Sequence, residues 1–393
     1  MSKKENWEIL NSLKIATIVC IASRPGSDFI QSLLDLHDQI ISIDGDLDFD
    51  NFYKHAVSVW GTNIKLEKKE RLKEINVENF LLEFAYKHLD KFDSECDNLD
   101  LKKTSKVDIK DFINHGVNLL SDVDFSRKNA FLAIYGAYSL SRNIKLKNKT
   151  ILLHHAHHVE KITFLINDFK NIKIIAANRE PRSSYCAMLL AIKKHSINIL
   201  DFPAHTFIIN RLYNGISFLG PYKYQDIKIN LLEELHSSPK LTMISLSNWL
   251  NIEFNDSLLQ STWNGTNWLG DSMSQNIVSV FNKDFKNDSE IKWKSNLDLL
   301  DKIVISSLMR DEIKFYNYNL SYTNNFYFLL SIFIILIPNS IERNLFKKDI
   351  LEFNITLILK DLFYLFKRYQ IMYKKIIFSA LGIKKIYKTI PKL

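Results

Sequence analysis

The chain has 393 residues, of which 46% are apolar, 24% charged and 12% aromatic. This composition is typical of a globular protein with a sizeable core, and it excludes a disordered, collagenous or coiled-coil chain. The formal net charge is +8, but residues 326–393 hold 12 of the Lys and Arg residues and only 4 of the Asp and Glu residues, so residues 1–325 are neutral. A protein that binds nucleic acid would carry the excess along its main domain, and we therefore expect no nucleic acid partner.

The three cysteines, Cys20, Cys96 and Cys186, are far apart and form no Cys-x-x-Cys pair. Their spacing excludes a disulfide framework and a cysteine-based zinc site, and it fits a reducing compartment. Lysines precede the apolar run 15–22 and imitate a signal peptide. The run is only eight residues long, is rich in Ile and Val and leads into a polar turn. We therefore predict a buried strand there and a cytoplasmic protein.

Short β-branched runs alternate with helical stretches through most of the chain, which predicts an α/β fold with a central, mainly parallel sheet. Residues 1–325 are expected to form this domain. Within it, residues 51–147 have apolar residues at helical spacing and many charges, which predicts a helical insert on the acceptor side. The predicted strands are residues 15–21, 39–43, 151–154, 172–176 and 227–231.

The tail, residues 326–393, is predicted to be an apolar and then basic helical extension. Residues 326–337 are apolar except for Ser331, a run too short to cross a bilayer, which needs about 20 residues. After Phe366 the chain carries eight basic residues and no acid, and the pairs 367–368 and 374–375 are spaced to share one helical face. Residues 360–393 are typical either of a basic amphipathic helix on an anionic membrane surface or of a helix packed on the domain with a solvated basic face.

A polar turn, residues 23–28, separates the first predicted strand from an amphipathic helix. In such a unit the backbone N–H groups and the helix N-terminus can bind an anion; Gly26 permits close approach and Arg24 adds a charge. The Gly-Lys-Ser/Thr tripeptide of a Walker A motif occurs nowhere in the chain, so ATP or GTP hydrolysis is not expected. Taken alone, the turn is more typical of a purely structural loop.

Four segments, in this order along the chain, resemble the sulfotransferases that use 3′-phosphoadenosine 5′-phosphosulfate (PAPS). Residues 18–40 look like the arginine type of their 5′-phosphosulfate loop, and residues 172–182 are similar to the strand that ends in Arg-Asp-Pro-Arg and holds the 3′-phosphate. Residues 232–252 resemble a later Tyr-Glu-Asp-Leu to Phe-Leu-Gly-Ile stretch, and residues 259–272 resemble the loop that closes over the nucleotide. The resemblance implies a P-loop-like three-layer fold and transfer of a sulfuryl group from PAPS, as co-substrate, to a hydroxyl of a glycan or a lipid-linked acceptor.

The resemblance also implies roles for single residues. Arg24 stands where the family steadies the bridging oxygen as the sulfuryl group leaves, and Arg179 stands where the family clamps the 3′-phosphate. Two arginines suit a donor that has two separate anionic groups. The implied nucleotide-binding residues are Ser23, Arg24, Pro25, Gly26, Ser27, Asp28, Phe29, Arg179, Ser183 and Trp268.

Two positions depart from the family pattern. Asp28 replaces a Thr that would donate to the 5′-phosphate, and a carboxylate there repels the anion unless it turns away or is protonated. Ala187 stands where a phosphate-binding Ser is expected, for which Ser183 or Ser184 would have to substitute. For Arg182, a surface charge and a second phosphate contact both remain open. The alternative function is a sulfotransferase-fold protein that has lost its chemistry and serves as a membrane-surface binding partner.

Sulfuryl transfer needs a general base that takes the proton of the acceptor hydroxyl. Asp44 and Asp46 follow the second predicted strand, where relatives such as the tyrosylprotein sulfotransferases place a Glu; a solvated loop is the alternative. His154 and His157 lie at the end of the third predicted strand, where several relatives place a Lys or a His. Structural packing is the commoner role for such histidines, and their spacing also permits, less often, a shared metal ion. Our prediction is that no metal is bound.

Overall fold

The protein is described by a computed structural model that covers residues 2–66, 69–89, 107–195, 201–270, 280–351, 355–381 and 386–393. Residues 271–272 of the predicted closing loop and Lys384 and Lys385 of the tail lie outside the described residues. The α-helices are α1 Lys3–Ser12, α2 Ser27–Leu34, α3 Phe49–Trp60, α4 Val77–Phe84, α5 Ile109–Leu120, α6 Arg127–Ser141, α7 Thr163–Asp168, α8 Pro181–His195, α9 Phe202–Asn214, α10 Leu232–Ser237, α11 Pro239–Leu250, α12 Phe285–Asn296, α13 Leu299–Leu308, α14 Arg310–Phe315, α15 Asn325–Ile334, α16 Ser340–Leu351 and α17 Ile355–Ala380.

Nine strands occur in the described residues, and five of them form one sheet in the order β2-β5-β1-β6-β7. Strand β5 pairs in parallel with β1, with Lys14 opposite Ile151, and in parallel with β2, with Ile40 opposite Ile151. All five strands predicted from the sequence are present in this sheet, so the predicted α/β class with a mainly parallel sheet is confirmed. The strands are β1 Lys14–Cys20, β2 Ile40–Ser42, β3 Gly61–Leu66, β4 Lys69–Ile75, β5 Ile151–Ala156, β6 Lys173–Asn178, β7 Asp226–Leu231, β8 Thr262–Trp263 and β9 Thr266–Asn267.

The chain divides into two compact units. Unit 1 comprises Met1–Val19, Ser27–Ile175 and Pro239–Val280. Unit 2 comprises Cys20–Gly26, Ala176–Ser238 and Phe281–Leu393.

Within unit 1, the insert at residues 51–147 contains helices, as the apolar spacing predicts, and also one element that the sequence analysis did not predict. Its helices bury an aromatic cluster in which the ring of Phe52 lies 5.1 Å from that of Phe80 and 5.2 Å from that of Phe84. The added element is an antiparallel hairpin formed by β3 and β4. Apolar residues alternate in this segment, but its many charges are also typical of an exposed helix, and they hid the strand pattern.

Within unit 2, helix α17 carries the basic pairs of the tail, and the two members of each pair have different surroundings. Arg368 is buried, with Nε 2.8 Å from Glu342 Oε1, and Lys375 donates to Glu312 Oε1 at 2.8 Å. Lys367 and Lys374 are exposed. The predicted single basic face is therefore wrong, because one member of each pair points inward to a carboxylate. No helix in the described part of the chain is long and apolar enough for a bilayer crossing.

Candidate functional site

In unit 2, the loop after β1 is tied to the start of helix α8. The hydroxyl of Ser184 donates to the carbonyl of Ser23 at 2.7 Å and accepts from the N–H of Ser23 at 3.1 Å. The N–H of Ile21 donates to the carbonyl of Ala177 at 3.0 Å. Of the two serines considered as phosphate ligands, Ser184 is thus used to hold the loop, which leaves Ser183 as the candidate.

The turn in this loop needs two residues in the left-handed region of backbone conformation. Arg24 has φ of 51° and Gly26 has φ of 80°, on either side of Pro25. A Cβ added at Gly26 would lie 2.5 Å from Cδ1 of Leu232, so glycine is required both by the backbone and by the space. Positive φ costs an arginine energy, and such strain concentrates at functional sites.

Arg179 follows strand β6 in unit 2, and among the described residues its guanidinium forms no ion pair with a carboxylate. Its hydrogen bonds to described residues are long and go to neutral oxygens, 3.4 Å from Nη1 to the carbonyl of Arg24 and 3.3 Å from Nη2 to Ser289 Oγ. Its Cζ lies 5.2 Å from the centre of the Phe285 ring. Within the described residues, the buried Nε has no hydrogen-bond partner. Burial lowers the pKa of Arg179, partly offset by Glu233 and Glu180, but a guanidinium remains charged in a protein.

Two carboxylates, Glu233 and Glu180, interact electrostatically with Arg179, and both are hydrogen-bonded to other groups. Glu233 accepts from the N–H of Glu180 at 3.0 Å and from the hydroxyl of Tyr318 at 3.0 Å. Glu180 accepts from Arg182 Nε and from the N–H of Ser183, both at 2.6 Å. Burial raises the pKa of Glu233, and the charge of Arg179 opposes that rise. The cation at Arg179 is therefore available to an external anion.

Arg182, three residues later, is fully buried and has its donors occupied by the protein. In addition to Glu180, it donates from Nη2 to the carbonyl of Asn319 at 2.7 Å, and its Cζ lies 4.2 Å from the centre of the Trp293 ring. A surface charge at this position is therefore wrong. Its contacts with Glu180, Asn319 and Trp293 show a structural role within unit 2.

In unit 1, three candidate side chains meet at His157, which follows strand β5. Its N–H donates to Asp46 Oδ1 at 2.8 Å, and its Nδ1 lies 3.6 Å from Asp46 Oδ2. Its Nε2 lies 3.4 Å from Asp28 Oδ1. The imidazole is 38% exposed, so it is open to an acceptor as well as held between two carboxylates.

Asp46 is held in its ionised form by its neighbours. Burial alone would raise the pKa of Asp46. His157 and Lys161 together lower it by a larger amount, so the net pKa lies below the usual range. Lys161 Nζ donates to Asp46 Oδ2 at 3.0 Å. The carboxylate can therefore orient His157 and stabilise its protonated form.

Asp28 turns toward the histidines of unit 1. Besides its contact with His157, its Oδ1 lies 3.7 Å from Nδ1 of His155. That nitrogen lies 2.8 Å from Gln31 Oε1, which also accepts from the N–H of Gly45. Burial lowers the pKa of His155 to about 4, so its ring is neutral at pH 7. Asp28 also lies in the first turn of α2, where the helix dipole stabilises a negative charge.

Asp44 and His154 are both buried in unit 1 and have structural partners. Asp44 Oδ2 accepts from the N–H of Asn264 at 2.7 Å, which holds the turn between β8 and β9; burial and the charge of Asp35 raise its pKa well above the usual range. His154 Nδ1 lies 3.0 Å from the hydroxyl of Tyr135, and burial lowers its pKa to about 3. Neither side chain is exposed to an acceptor.

Phe29 and Trp268 lie in an aromatic cluster of unit 1. Trp268 stacks on Trp263 with ring centres 5.3 Å apart, and Phe29 packs against the pair. Trp268 is buried, and in the described structure its side chain packs against Trp263 and Phe29.

The structure thus groups the predicted residues into two sets. The arginine site in unit 2 comprises Arg24, Gly26 and Arg179, with Ser23, Pro25 and Ser183 beside them in sequence. The histidine site in unit 1 comprises Asp28, Asp46 and His157, with Ser27 at the start of the same helix as Asp28. Sequence reasoning missed the supporting residues His155, Gln31, Lys161, Glu180 and Glu233. Alternation along β5 was the available signal for His155, since it places His155 and His157 on the opposite face from His154.

No family model matches the chain, and no curated protein is similar to it. Among solved structures, the chain is similar to a sulfotransferase domain from the curacin biosynthetic pathway, with 17% identity, 78% of this chain and 99% of that chain covered, and a TM-score of 0.41. A sulfotransferase domain from the olefin synthase of Synechococcus PCC 7002 gives 12% identity, coverage of 79% and 96%, and a TM-score of 0.40. A sulfotransferase from Mycobacterium avium gives 13% identity, coverage of 81% and 81%, and a TM-score of 0.39. At TM-scores below 0.5, these structures do not define the activity of this chain.

Proposed function

We propose that the protein is a sulfotransferase that transfers a sulfuryl group from PAPS to a hydroxyl of a glycan or a lipid-linked acceptor. The observation that carries the proposal is Arg179, a charged side chain that has a buried Nε without a hydrogen-bond partner among the described residues. Leaving a cation in this condition is costly unless an anion completes it. The sequence resemblance names that anion as the 3′-phosphate of the donor.

The second anionic group of the donor is assigned to the turn at residues 23–27. Its glycine allows backbone N–H groups to approach a phosphate closely, and helix α2 begins at Ser27, directly after it. Arg24 supplies a charge that stabilises the leaving oxygen as the sulfur–oxygen bond to the nucleotide breaks. The positive φ of Arg24 supports a functional role for this turn, since structural loops rarely place an arginine there.

The acceptor proton is assigned to His157. As the acceptor oxygen forms its bond to sulfur, the imidazole takes the hydroxyl proton, and the ionised carboxylate of Asp46 stabilises the imidazolium. The products are the sulfated acceptor and 3′-phosphoadenosine 5′-phosphate. The proposal includes no metal ion, because Lys161 already supplies a positive charge 3.0 Å from Asp46. The proposed compartment is the cytoplasm.

Calorimetry tests the arginine site. The full chain should bind 3′-phosphoadenosine 5′-phosphate more tightly than adenosine 5′-phosphate, and Arg179→Met should weaken binding of the first by about ten- to a hundredfold, since a charge-assisted hydrogen bond contributes roughly 1.5–3 kcal/mol. Arg310→Met, which removes another arginine of unit 2, is the matched control and should leave binding unchanged. Equal affinity of the wild-type chain for the two nucleotides would contradict the role of Arg179.

The second candidate function is a sulfotransferase-fold protein without turnover that serves as a membrane-surface binding partner. Asp28 favours it, because its carboxylate stands where the family places a hydroxyl that donates to the 5′-phosphate. Ala187 also favours it, because it lacks the hydroxyl of the Ser that binds phosphate at this position in the family. Nucleotide binding without sulfated product, over a panel of glycan and lipid-linked acceptors, would support this candidate. Product formed from PAPS would exclude it.

A further inference from the structure

The tail helices of unit 2 have large apolar side chains on their outer surfaces. Three on α15 are spaced three and four residues apart, and Phe333 among them is 69% exposed. Three on α17 are spaced four and three apart, and Leu359 among them is 62% exposed. The spacing places each trio on one face of its helix. We call these six residues the tail face: Phe326, Leu329, Phe333, Leu359, Phe363 and Phe366.

The two helices of the tail face are joined directly. The hydroxyl of Tyr373 on α17 donates to the carbonyl of Ile332 on α15 at 2.9 Å. The hydroxyl of Tyr369 donates to the carbonyl of Leu336, just after α15, at 3.1 Å. Buried Arg368 donates to the carbonyl of Ile335 at 2.6 Å. Helix α17 is therefore fixed to α15 and its C-terminal end by polar bonds, while Leu359, Phe363 and Phe366 remain exposed.

Basic side chains accompany the exposed aromatic rings. Lys367 Nζ lies 4.4 Å from the centre of the Phe363 ring, and Lys374 Nζ lies 5.5 Å from that of Phe378. Both lysines line an open groove of about 500 Å³ between α9 and α17, whose other walls include Asn210 and Gln370. Asp361 is the one acidic residue in the described part of α17, and it is buried. The outer side of α17 is therefore apolar and positive.

We propose that the tail face docks on an anionic bilayer surface. The aromatic and aliphatic side chains enter the headgroup region, while Lys367 and Lys374 bind lipid phosphate or carboxylate groups. A bilayer fits the tail face because an anionic membrane is negative at its headgroups and apolar beneath them. Exposed apolar residues interleaved with lysines match both regions. This inference is independent of the proposed sulfotransferase activity, since it uses none of the residues of the arginine or histidine sites.

Vesicle sedimentation of the full chain tests the proposal. Binding to phosphatidylcholine vesicles that contain phosphatidylserine should exceed binding to phosphatidylcholine alone, and it should fall as salt is raised because salt screens the attraction. Lys367→Glu combined with Phe363→Ser should weaken partitioning to the anionic vesicles by about tenfold or more. The matched control is Lys223→Glu with Tyr224→Ser, which changes the same charge and removes an exposed ring beside a lysine elsewhere in unit 2. The control should leave partitioning unchanged.

Melting curves and nucleotide affinity of the variants show whether they remain folded, and they separate failure here from failure of the proposed function. Equal binding to neutral and anionic vesicles that does not change with salt would overturn the proposal, as would equal losses in the variant and its control. Light scattering without vesicles tests the other occupant. A dimer that the Lys367→Glu, Phe363→Ser variant converts to a monomer would show that the face binds a second copy and would overturn the bilayer.

Discussion

The two candidate sites differ in the charge of the groups that contact the central side chain. At the histidine site, Asp46 contacts the cation of Lys161, and the carboxylates of Asp46 and Asp28 both contact the imidazole of His157. At the arginine site, the hydrogen bonds of Arg179 among the described residues go to neutral oxygens, and its guanidinium lies over the ring of Phe285. Carboxylates beside an imidazole stabilise the positive charge that the ring gains when it takes a proton from outside. A buried cation instead stabilises an anion that arrives from outside, and we therefore propose proton transfer for the histidine site and donor binding for the arginine site.

The largest expected effect tests the histidine site. His157→Asn or Asp46→Asn should lower turnover by roughly 10²–10⁴ and leave nucleotide affinity nearly unchanged, because general-base catalysis acts on the chemical step. His154→Phe and Asp44→Asn should leave turnover within a few fold, since both side chains are buried with structural partners. Steady-state kinetics with PAPS would measure all four. If none of the substitutions changes turnover by more than a few fold, neither cluster supplies the base.

The next effect compares Arg182 and Arg179 by stability. Arg182→Met should lower the free energy of unfolding by about 3–5 kcal/mol, because it leaves the buried carboxylate of Glu180 without its ion-pair partner. Arg179→Met should lower it by less than Arg182→Met does, because Glu233, whose charged form Arg179 favours, keeps its hydrogen bonds from Glu180 and Tyr318. Urea unfolding of both variants measures the contrast. Similar losses in the two variants would show that Arg179 is structural.

The smallest effect concerns acid stability and the two faces of β5. His154 has a pKa of about 3 in the folded protein and about 6.5 when unfolded, so the unfolded chain binds its proton first as pH falls below about 6.5. Folding is therefore progressively destabilised toward pH 4. His154→Phe should reduce that loss by about 1–3 kcal/mol between pH 6.5 and 4, as measured by thermal or urea unfolding at a series of pH values.

His157→Phe is the comparison for this test. Its ring is partly exposed to water, so we expect the substitution to change the acid sensitivity less than His154→Phe does. A larger change with His157→Phe than with His154→Phe would contradict the assignment of His154 to the core and of His157 to the solvent-facing side.

Local patterns were enough to predict most of the fold. The five strands of the sheet are short runs of β-branched residues, whose preference for extended backbone is intrinsic, and each is present close to its predicted position. The turn at residues 23–28 was also readable, because a glycine and a proline after a buried strand restrict the backbone. The β3–β4 hairpin was not predicted, since its alternation is masked by charges that suit an exposed helix equally well.

The candidate sites could be predicted only in part from the sequence, and His154 and His155 show the reason. His154 and His155 are adjacent in the sequence, and alternation places them on opposite faces of β5, but the sequence does not say which face the insert covers. Phe131 and Phe164 pack on His154, with ring centres 5.4 and 5.8 Å away, and make its face the core. Burial then lowers its pKa and removes it from the chemistry.

The sequence by itself determined the positions of the strands along the chain, the turn after the first strand and the basic, apolar character of the tail, since each of these depends on neighbouring residues. Tertiary structure decided which charges are satisfied. Arg182 is bonded to Glu180 and to backbone oxygens more than 130 positions away in the chain, while Arg368 is bonded to Glu342 and Lys367 is exposed. A charge becomes structural or functional according to the partners that folding brings within about 3 Å, and many of those partners, such as Glu342 for Arg368, are distant in sequence.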